Sequence, residues 1–419
     1  MHTLLIHQAF VSPAEAGGTR HYELARRLVD LGYRFTIVSS NISYLSGERI
    51  VDSHGIVAEQ ILDGIRILRA YTCPTLHKSF LWRMISFFSF MLTSIWAGLK
   101  AGPADIVMGT SPPIFQAISA WALSVIRRKP FLLEIRDLWP EFAIDIGVLK
   151  NPVLILLSRW LERFLYHTAI HIVVNSPAYR TYLVKKGVPS KKISLIPNGV
   201  DTAMFDERAD GHGFLKQMGL NGKFVVTYAG ALGMANDIPT ILRAAGRLKT
   251  QPGICFLLVG DGKDRSNLES TAKEMHLDNV IFTGARPKSE MAEILAASDA
   301  CTATLKDIPM FKTTYPNKVF DYMAAGRPTI LGIDGVIREV IEKAGGGVFV
   351  PPGDDGALSD AIMGLEKDRA RAKAMGTAAR KYVKEHFDRE RQAEQFICCL
   401  HRLRSQTCPP EAGYTDYTD

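Results

Sequence analysis

Apolar residues along this chain fall into short unbroken runs, separated by turn-rich loops and by stretches with helical spacing. Thr3–Ile6 is the first run, followed by the turn formers Ser12-Pro13-Ala14-Glu15-Ala16-Gly17-Gly18. His21, Leu24, Ala25, Leu28 and Leu31 then share one helical face, and Gly32 ends it. Phe35–Ser39 is the next apolar run. Strand, Gly-bearing turn, helix, strand is one βαβ unit, which predicts a parallel sheet with binding loops at the strands' carboxyl ends. Ile106–Met108, Phe131–Ile135, Ile170–Asn175 and Ile193–Ile196 extend that sheet. Pro197-Asn198-Gly199-Val200-Asp201 breaks regular structure, so we expect a first domain over 1–201 and a second over 202–388. There the pattern starts again, with Phe224–Tyr228, a helix over Ile238–Leu248, and strands at Ile254–Val259, Val280–Phe282, Ala300–Leu305, Thr329–Gly332 and Gly347–Val350. The expected fold is α/β: two doubly wound, Rossmann-like domains facing each other across a cleft. Residues 389–404 read as an amphipathic helix crossing back to the first domain, and the polar 405–419 as a flexible tail.

One stretch departs from this rhythm. Ser79–Leu99 is almost wholly apolar, with Arg83 near its start and Lys100 just after it. It falls short of the ~20 uncharged residues of a spanning helix. Trp82, Trp96 and a cluster of Phe suit an interfacial segment resting on a membrane, against the plainer reading of a buried helix.

Composition adds bounds rather than detail. The chain has 419 residues, is 47% apolar and 22% charged, and carries a formal charge of +7. That describes a globular protein with ample core. The basic excess suits phosphate or anionic lipid; it is scattered and lacks an aromatic–basic recognition motif, so no nucleic-acid partner is expected. Six cysteines show no metal-type or disulfide-type spacing, and the first residues lack a basic start, so a reduced cytoplasmic setting is expected with no metal site. Oligomer contacts leave no readable signature.

The candidate chemistry clusters at strand ends. Thr314–Pro328 opens with turn formers, becomes a short amphipathic helix and stops at Gly326. A phosphate suits the helix start around Asn317, with Lys318 adding a full charge and Asp321, one turn on, accepting from a pair of sugar hydroxyls. An ordinary surface helix with an i,i+3 pair is the plainer alternative. Gly17 and Gly18 let backbone N–H groups approach a diphosphate or sugar. Glu134-Ile135-Arg136-Asp137-Leu138-Trp139-Pro140-Glu141 places four charges at the end of a strand, which is costly unless they pair or bind a ligand. There Arg136 is a candidate to hold a phosphate or an acceptor hydroxyl, and Asp137 to orient it. Arg265, after Gly260-Asp261-Gly262, is placed to reach a diphosphate, and Arg286 lies in a turn whose backbone suits a base edge. His7, His21 and His171 read as packing or surface residues.

Together these residues resemble the GT-B glycosyltransferases of family 4. The resemblance runs to about residue 404, carried by Gly17-Gly18, Ile196–Asp201, Gly260-Asp261-Gly262, Leu268-Glu269, Thr283-Gly284 and Asp321…Ala325-Gly326-Arg327-Pro328. Glu134–Pro140 and the Pro316–Gly326 form are similar to the WbuB-type subgroup, usually taken as fucosamine-type transferases of O-antigen or capsule assembly. The resemblance implies retaining, metal-independent transfer from a nucleotide-sugar, expected to be UDP-linked and N-acetylated or deoxyamino. It requires no cofactor. The acceptor would be a polyprenyl-diphosphate-linked saccharide, met by peripheral contact at the inner face of the plasma membrane. Arg136, Asp137 and Lys318 would be catalytic; Gly17, Gly18, Arg265, Arg286, Asn317, Lys318 and Asp321 would bind the donor. Where the family motif has a glutamate eight residues before the Asp321 position, this chain has Thr313. The frequent Arg and Lys after the second domain's first strand fall at Ala231 and Asn236, and the first-domain histidine at Arg136. These departures leave open a non-catalytic membrane-bound scaffold of the same fold, or a sugar-nucleotide epimerase.

Overall fold

A computed structural model describes residues 1–44, 47–51, 55–75, 80–206 and 209–407. It contains two sheets. The first comprises β1 (His2–Ile6), β2 (Arg34–Ser40), β3 (Val57–Leu62), β4 (Ile65–Ala70), β5 (Ile106–Ser111), β6 (Phe131–Ile135), β7 (His171–Val174) and β8 (Ile193–Leu195), in the order β3-β4-β2-β1-β5-β6-β7-β8. All its pairings are parallel except the β3–β4 hairpin at one edge. The second holds β9 (Phe224–Ala229), β10 (Ile254–Val259), β11 (Val280–Gly284), β12 (Ala300–Thr304), β13 (Thr329–Gly332) and β14 (Gly347–Phe349), ordered β11-β10-β9-β12-β13-β14 and parallel throughout. Every residue of β1 and β10 is buried, which is why these strands read as continuous apolar runs: helices cover both faces of a parallel sheet. Two doubly wound domains are therefore present, as expected.

The helix Arg389–Thr407 lies against the first sheet's helix Arg20–Asp30. Its Phe396, Leu400 and Leu403 share a core with Leu5, Leu24, Leu28 and Ile37.

The strand orders fix where a ligand can enter. In the first sheet the connections run one way from β1 and the other way from β5. In the second they diverge between β9 and β12. Loops leaving neighbouring strands in opposite directions open a crevice at the carboxyl edge, and here the two crevices face each other. The walls touch along the chain's crossover: Ser176 Oγ donates to the Thr313 carbonyl (2.6 Å), and the backbone N–H groups of Lys288 and Ser289 donate to the carbonyls of Glu15 and Pro13 (both 3.2 Å).

Candidate functional site

A cavity of about 330 Å³ opens between the walls, lined by the Ala9–Gly18 loop, Arg136, Asp137, Asn175, Asn198 and, from the second domain, Asn317. Five of the residues singled out in the sequence thus meet here: Gly17, Gly18, Arg136, Asp137 and Asn317. Gly18 approaches the opposite wall so closely that a Cβ would lie 3.0 Å from Asn317 Nδ2. Gly17, at φ +141°, takes a backbone conformation that side-chain-bearing residues rarely adopt.

Behind the first-domain wall lies a wired charge network. Glu134 is buried and accepts from Arg20 Nε (3.0 Å), His21 Nε2 (2.5 Å) and Thr110 Oγ1 (3.2 Å). Burial opposes its ionisation, but His21, Arg20 and Arg136 together hold the carboxyl well below the usual range. Glu141 is spent on the surface, facing Arg159 and Lys186 at 3.0 and 3.4 Å. So two of the four charges at this strand end are structural. The other two face the ligand space. Arg136 is clamped: Nε donates to Thr110 Oγ1 (2.9 Å) and the Ser111 carbonyl (3.2 Å), and Nη2 lies 2.9 Å from His7 Nε2. A guanidinium only donates, so His7 Nε2 accepts and its proton sits on Nδ1. Burial, Arg136 and His21 hold His7 well below its ordinary pKa, which keeps that acceptor free. Burial pushes the Asp137 carboxyl up to about 7, against the pull of Arg136 and a hydrogen bond from the Leu138 N–H.

The second-domain wall is organised by the helix Asn317–Ala324, which Gly326 ends at φ +66°. Lys318 lies beside the loop that follows β9, its ammonium bonded to Tyr228 Oη (2.7 Å) and Asn236 Oδ1 (2.9 Å) and placed over the Tyr228 ring at 4.1 Å. All three contacts are neutral groups, and burial lowers its pKa to about 7. The cation therefore reaches Asn236, in the loop after β9, from a different element. Asp321 lies behind the cavity lining, its Oδ2 held by Lys288 Nζ at 2.5 Å. Burial raises its pKa despite Lys288. Thr313 is occupied in joining the walls through its carbonyl, while its hydroxyl donates to the Met310 carbonyl (2.5 Å). Arg265 and Arg286 stand apart from the cavity. Arg265 is shared by Asp261 (2.9 Å) and Glu269 (2.7 Å), so its charge is already balanced; Arg286 lies 3.5 Å from Glu290.

Four oxygens of cavity-lining residues lack any hydrogen-bond donor: Asp137 Oδ1, Asn175 Oδ1, Asn198 Oδ1 and Asn317 Oδ1. Each such buried group costs about 1–3 kcal/mol until a partner arrives. Sequence reading singled out neither Asn175 nor Asn198 as a ligand residue, and it took His7 for packing. The available signal was position: His7 and Asn175 directly follow apolar strands, and Asn198 lies three residues beyond one.

On the outer side of the first domain, the helix Phe80–Lys100 buries Ser86, Phe87, Phe90, Ser94 and Ala97. Its opposite stripe exposes Leu81, Trp82, Phe88, Leu92 and Trp96, so the buried-helix reading holds for one face only. The helix Pro152–Thr168 adds Val153, Leu156, Leu157 and Trp160, each more than half exposed. Among the described residues no helix is long and apolar enough to cross a membrane.

Comparisons with known proteins agree with this geometry. Residues 17–204 match the Glycosyltransferase Family 4 model and residues 215–382 the Glycosyl transferases group 1 model. The chain is similar to the probable glycosyltransferase WbjE of Pseudomonas aeruginosa, at 26% identity over 76% of this chain and 79% of that one. It is also similar to the putative colanic acid biosynthesis glycosyl transferase WcaI of Escherichia coli K12, at 24% identity over 74% and 76%. Among solved structures, Anabaena HepE in complex with UDP-glucose shares the fold, with a TM-score of 0.72 and 17% identity over 96% of this chain and 100% of that one.

Proposed function

We propose that this chain, a GT-B glycosyltransferase of group 1 and family 4, moves one sugar from a UDP-sugar to a lipid-linked saccharide during assembly of a bacterial surface polysaccharide. The observation that carries the reading is Lys318, a half-buried ammonium with only neutral partners, placed at the second-domain switch point one residue from the cavity. Its missing counter-anion is the donor diphosphate, lying at the amino end of the 317–324 helix. As the glycosidic bond breaks, negative charge grows on that diphosphate; Lys318 from one wall and Arg136 from the other stabilise it there without rearranging. Asp321 Oδ1, the oxygen Lys288 does not hold, receives the ribose hydroxyls. Asp137, with its carboxyl near 7, orients the acceptor hydroxyl and takes up its proton. Retention of configuration and independence of metal are part of the reading, as are an N-acetylated or deoxyamino sugar and WbuB-type kinship. Support for the donor comes from HepE, whose structure holds UDP-glucose; support for the setting comes from WcaI, named for colanic acid biosynthesis. The exposed apolar faces of the 80–100 and 152–168 helices rest on the cytoplasmic leaflet, where a polyprenyl-diphosphate acceptor is found.

The test is a panel of UDP-, GDP- and dTDP-sugars, each with a polyprenyl-diphosphate saccharide, read by product mass and thermal shift. A UDP-specific stabilisation of roughly 2.7 kcal/mol at a hundredfold excess over Kd, together with an acceptor mass gain of one sugar, is expected. Transfer from GDP- or dTDP-sugars alone would overturn the donor assignment. Stabilisation by a UDP-sugar without transfer to any lipid-linked acceptor would overturn the acceptor assignment.

A further inference from the structure

The donorless oxygens in the cavity share one direction of hydrogen bonding. Asn175 and Asn198 are both more than nine-tenths buried. Their amide orientations are fixed, because Asn175 Nδ2 donates to the Arg136 carbonyl (3.4 Å) and Asn198 Nδ2 to the Tyr315 carbonyl (2.7 Å). With each NH₂ group committed to a carbonyl, each Oδ1 is turned away from it and remains an acceptor. Asn317, whose Nδ2 faces Gly18, adds a donorless oxygen from the opposite wall, and Asp137 adds a fourth. The volume, about 330 Å³, leaves room for one monosaccharide unit.

We propose that the oxygens of Asn175, Asn198 and Asn317, with Asp137, are the acceptor face of a pocket that reads the O–H and N–H groups of a single uncharged glycosyl unit and so sets which sugar is handled. This rests on the transferase reading but goes beyond it, since that reading places phosphate and ribose and leaves the sugar unread. The pocket asks for donors. This acceptor face favours free hydroxyls and amide N–H groups at the positions facing the three asparagines, and a uronic acid carboxylate turned toward it would meet only oxygen. The glycosyl unit belongs either to the nucleotide donor or to the growing acceptor; the chemistry is the same and the experiment separates them.

The probes are deoxyfluoro analogues, in which fluorine replaces one hydroxyl and cannot donate a hydrogen bond. They are made for the UDP-sugar and for the terminal sugar of the acceptor, and compared in the full-length wild-type protein and in the near-isosteric variants Asn175→Leu and Asn198→Leu. The wild type should lose roughly tenfold or more in kcat/KM at each hydroxyl read by the pocket. Each variant should lose the discrimination at one position while leaving discrimination at the others intact. Loss confined to fluorinated UDP-sugars assigns the pocket to the donor, and loss confined to fluorinated acceptors assigns it to the acceptor. Equal kcat/KM, within twofold, for every analogue on both substrates overturns the proposal. A binding readout keeps it separate from the transferase reading. If no acceptor is glycosylated but calorimetry shows UDP-sugar binding more tightly than UDP, and Asn198→Leu removes that difference, the pocket stands and the acceptor assignment falls. If transfer proceeds and the analogues are indistinguishable, the reverse holds. Thermal melts check the fold of each variant; if both fail to fold, Asn198→Ser, which shortens the side chain and withdraws the oxygen, carries the same comparison.

Discussion

On the first-domain wall, Arg136 is gripped from three sides while the oxygens of Asp137, Asn175 and Asn198 stand without donors. On the opposite wall Lys318 and Asp321 are already engaged, by Tyr228, Asn236 and Lys288, and only the Asn317 oxygen lacks a donor. One wall is rigid in its charge and unsatisfied in its hydrogen bonds. The other is satisfied in its hydrogen bonds and unsatisfied in its charge, because a lysine bonded only to neutral groups still lacks an anion. The difference matches two kinds of ligand: a neutral polyhydroxyl sugar wants acceptors, and a diphosphate wants a cation. Both arrangements place instability where a substrate will relieve it, so substitutions here should separate stability from activity.

The largest break should come at Lys318. Lys318→Met is expected to cut transfer by roughly a hundredfold to a thousandfold in single-turnover assays, while raising stability near neutral pH. The sign follows from its pKa, about 7 in the folded chain against the ordinary value of 10.5. Between those values the unfolded chain holds the extra proton, so wild-type stability rises with pH from about 7 to 10.5, and below 7 the full cost is present. Denaturant melts across that range should show a rising stability for the wild type that flattens in the variant. A variant that folds less well at pH 7 and transfers normally would end the contrast between the walls.

On the other wall, His7→Leu removes the acceptor that fixes Arg136. Misplacing a catalytic cation by an ångström is worth up to ~100-fold in kcat/KM, and His7→Gln, which can still accept, should recover most of it. Equal loss in both variants would mean that His7 serves packing alone. Asp137→Asn should abolish most transfer yet stabilise the chain. The folded carboxyl titrates near 7 rather than 3.8, so the native state keeps a proton the unfolded chain gives up, and wild-type stability falls as pH rises from about 4 to 7. The variant lacks that fall. The gap should plateau above pH 7 at about 1–2 kcal/mol after allowance for partial exposure.

A gentler effect sharpens the charge half of the comparison. A diphosphate beside Lys318 favours its protonated form, so UDP binding near pH 8 should take up close to one proton. Calorimetry in two buffers of different ionisation enthalpy would show it, and a buffer-independent heat would deny the contact. The smallest effect on the cleft should come from Leu156→Glu with Trp160→Glu on the outer helix. Binding to anionic vesicles should drop, while transfer to a short-chain, water-soluble acceptor stays within twofold. Unchanged vesicle binding would remove this helix from the proposed membrane face.

Much of this architecture is legible in the sequence because parallel strands covered on both sides must be apolar throughout, and such runs stand out. The β3–β4 hairpin escaped that reading. Its strands mix polar residues into the apolar ones, Glu59 and Gln60 in β3 and Arg66 and Arg69 in β4, and its signal is the turn Asp63-Gly64, both residues at positive φ. The outer helix 152–168 escaped too, because its apolar residues are interrupted by Ser158, Arg159, Glu162 and Arg163. In the site, Gly17, Gly18, Arg136, Asp137 and Asn317 were legible because their residue types carry chemistry at strand or helix ends. Asn175, Asn198 and His7 were not, because their importance lies in which atom of the side chain is left over after its neighbours are served. That is a property of side-chain orientation, which spacing does not encode.

The helix Arg389–Thr407, packed into the first domain's core, sets a timetable. Leu5, Leu24 and Leu28 emerge from the ribosome before the second domain, but the Phe396, Leu400 and Leu403 that cover them come after it. At ~5–20 residues per second of synthesis, the first domain waits on the order of ten to forty seconds, for the whole second domain, with an apolar groove uncovered. Newborn chains are thus most exposed to chaperones and to self-association at the half least suspected of late folding, the one made first.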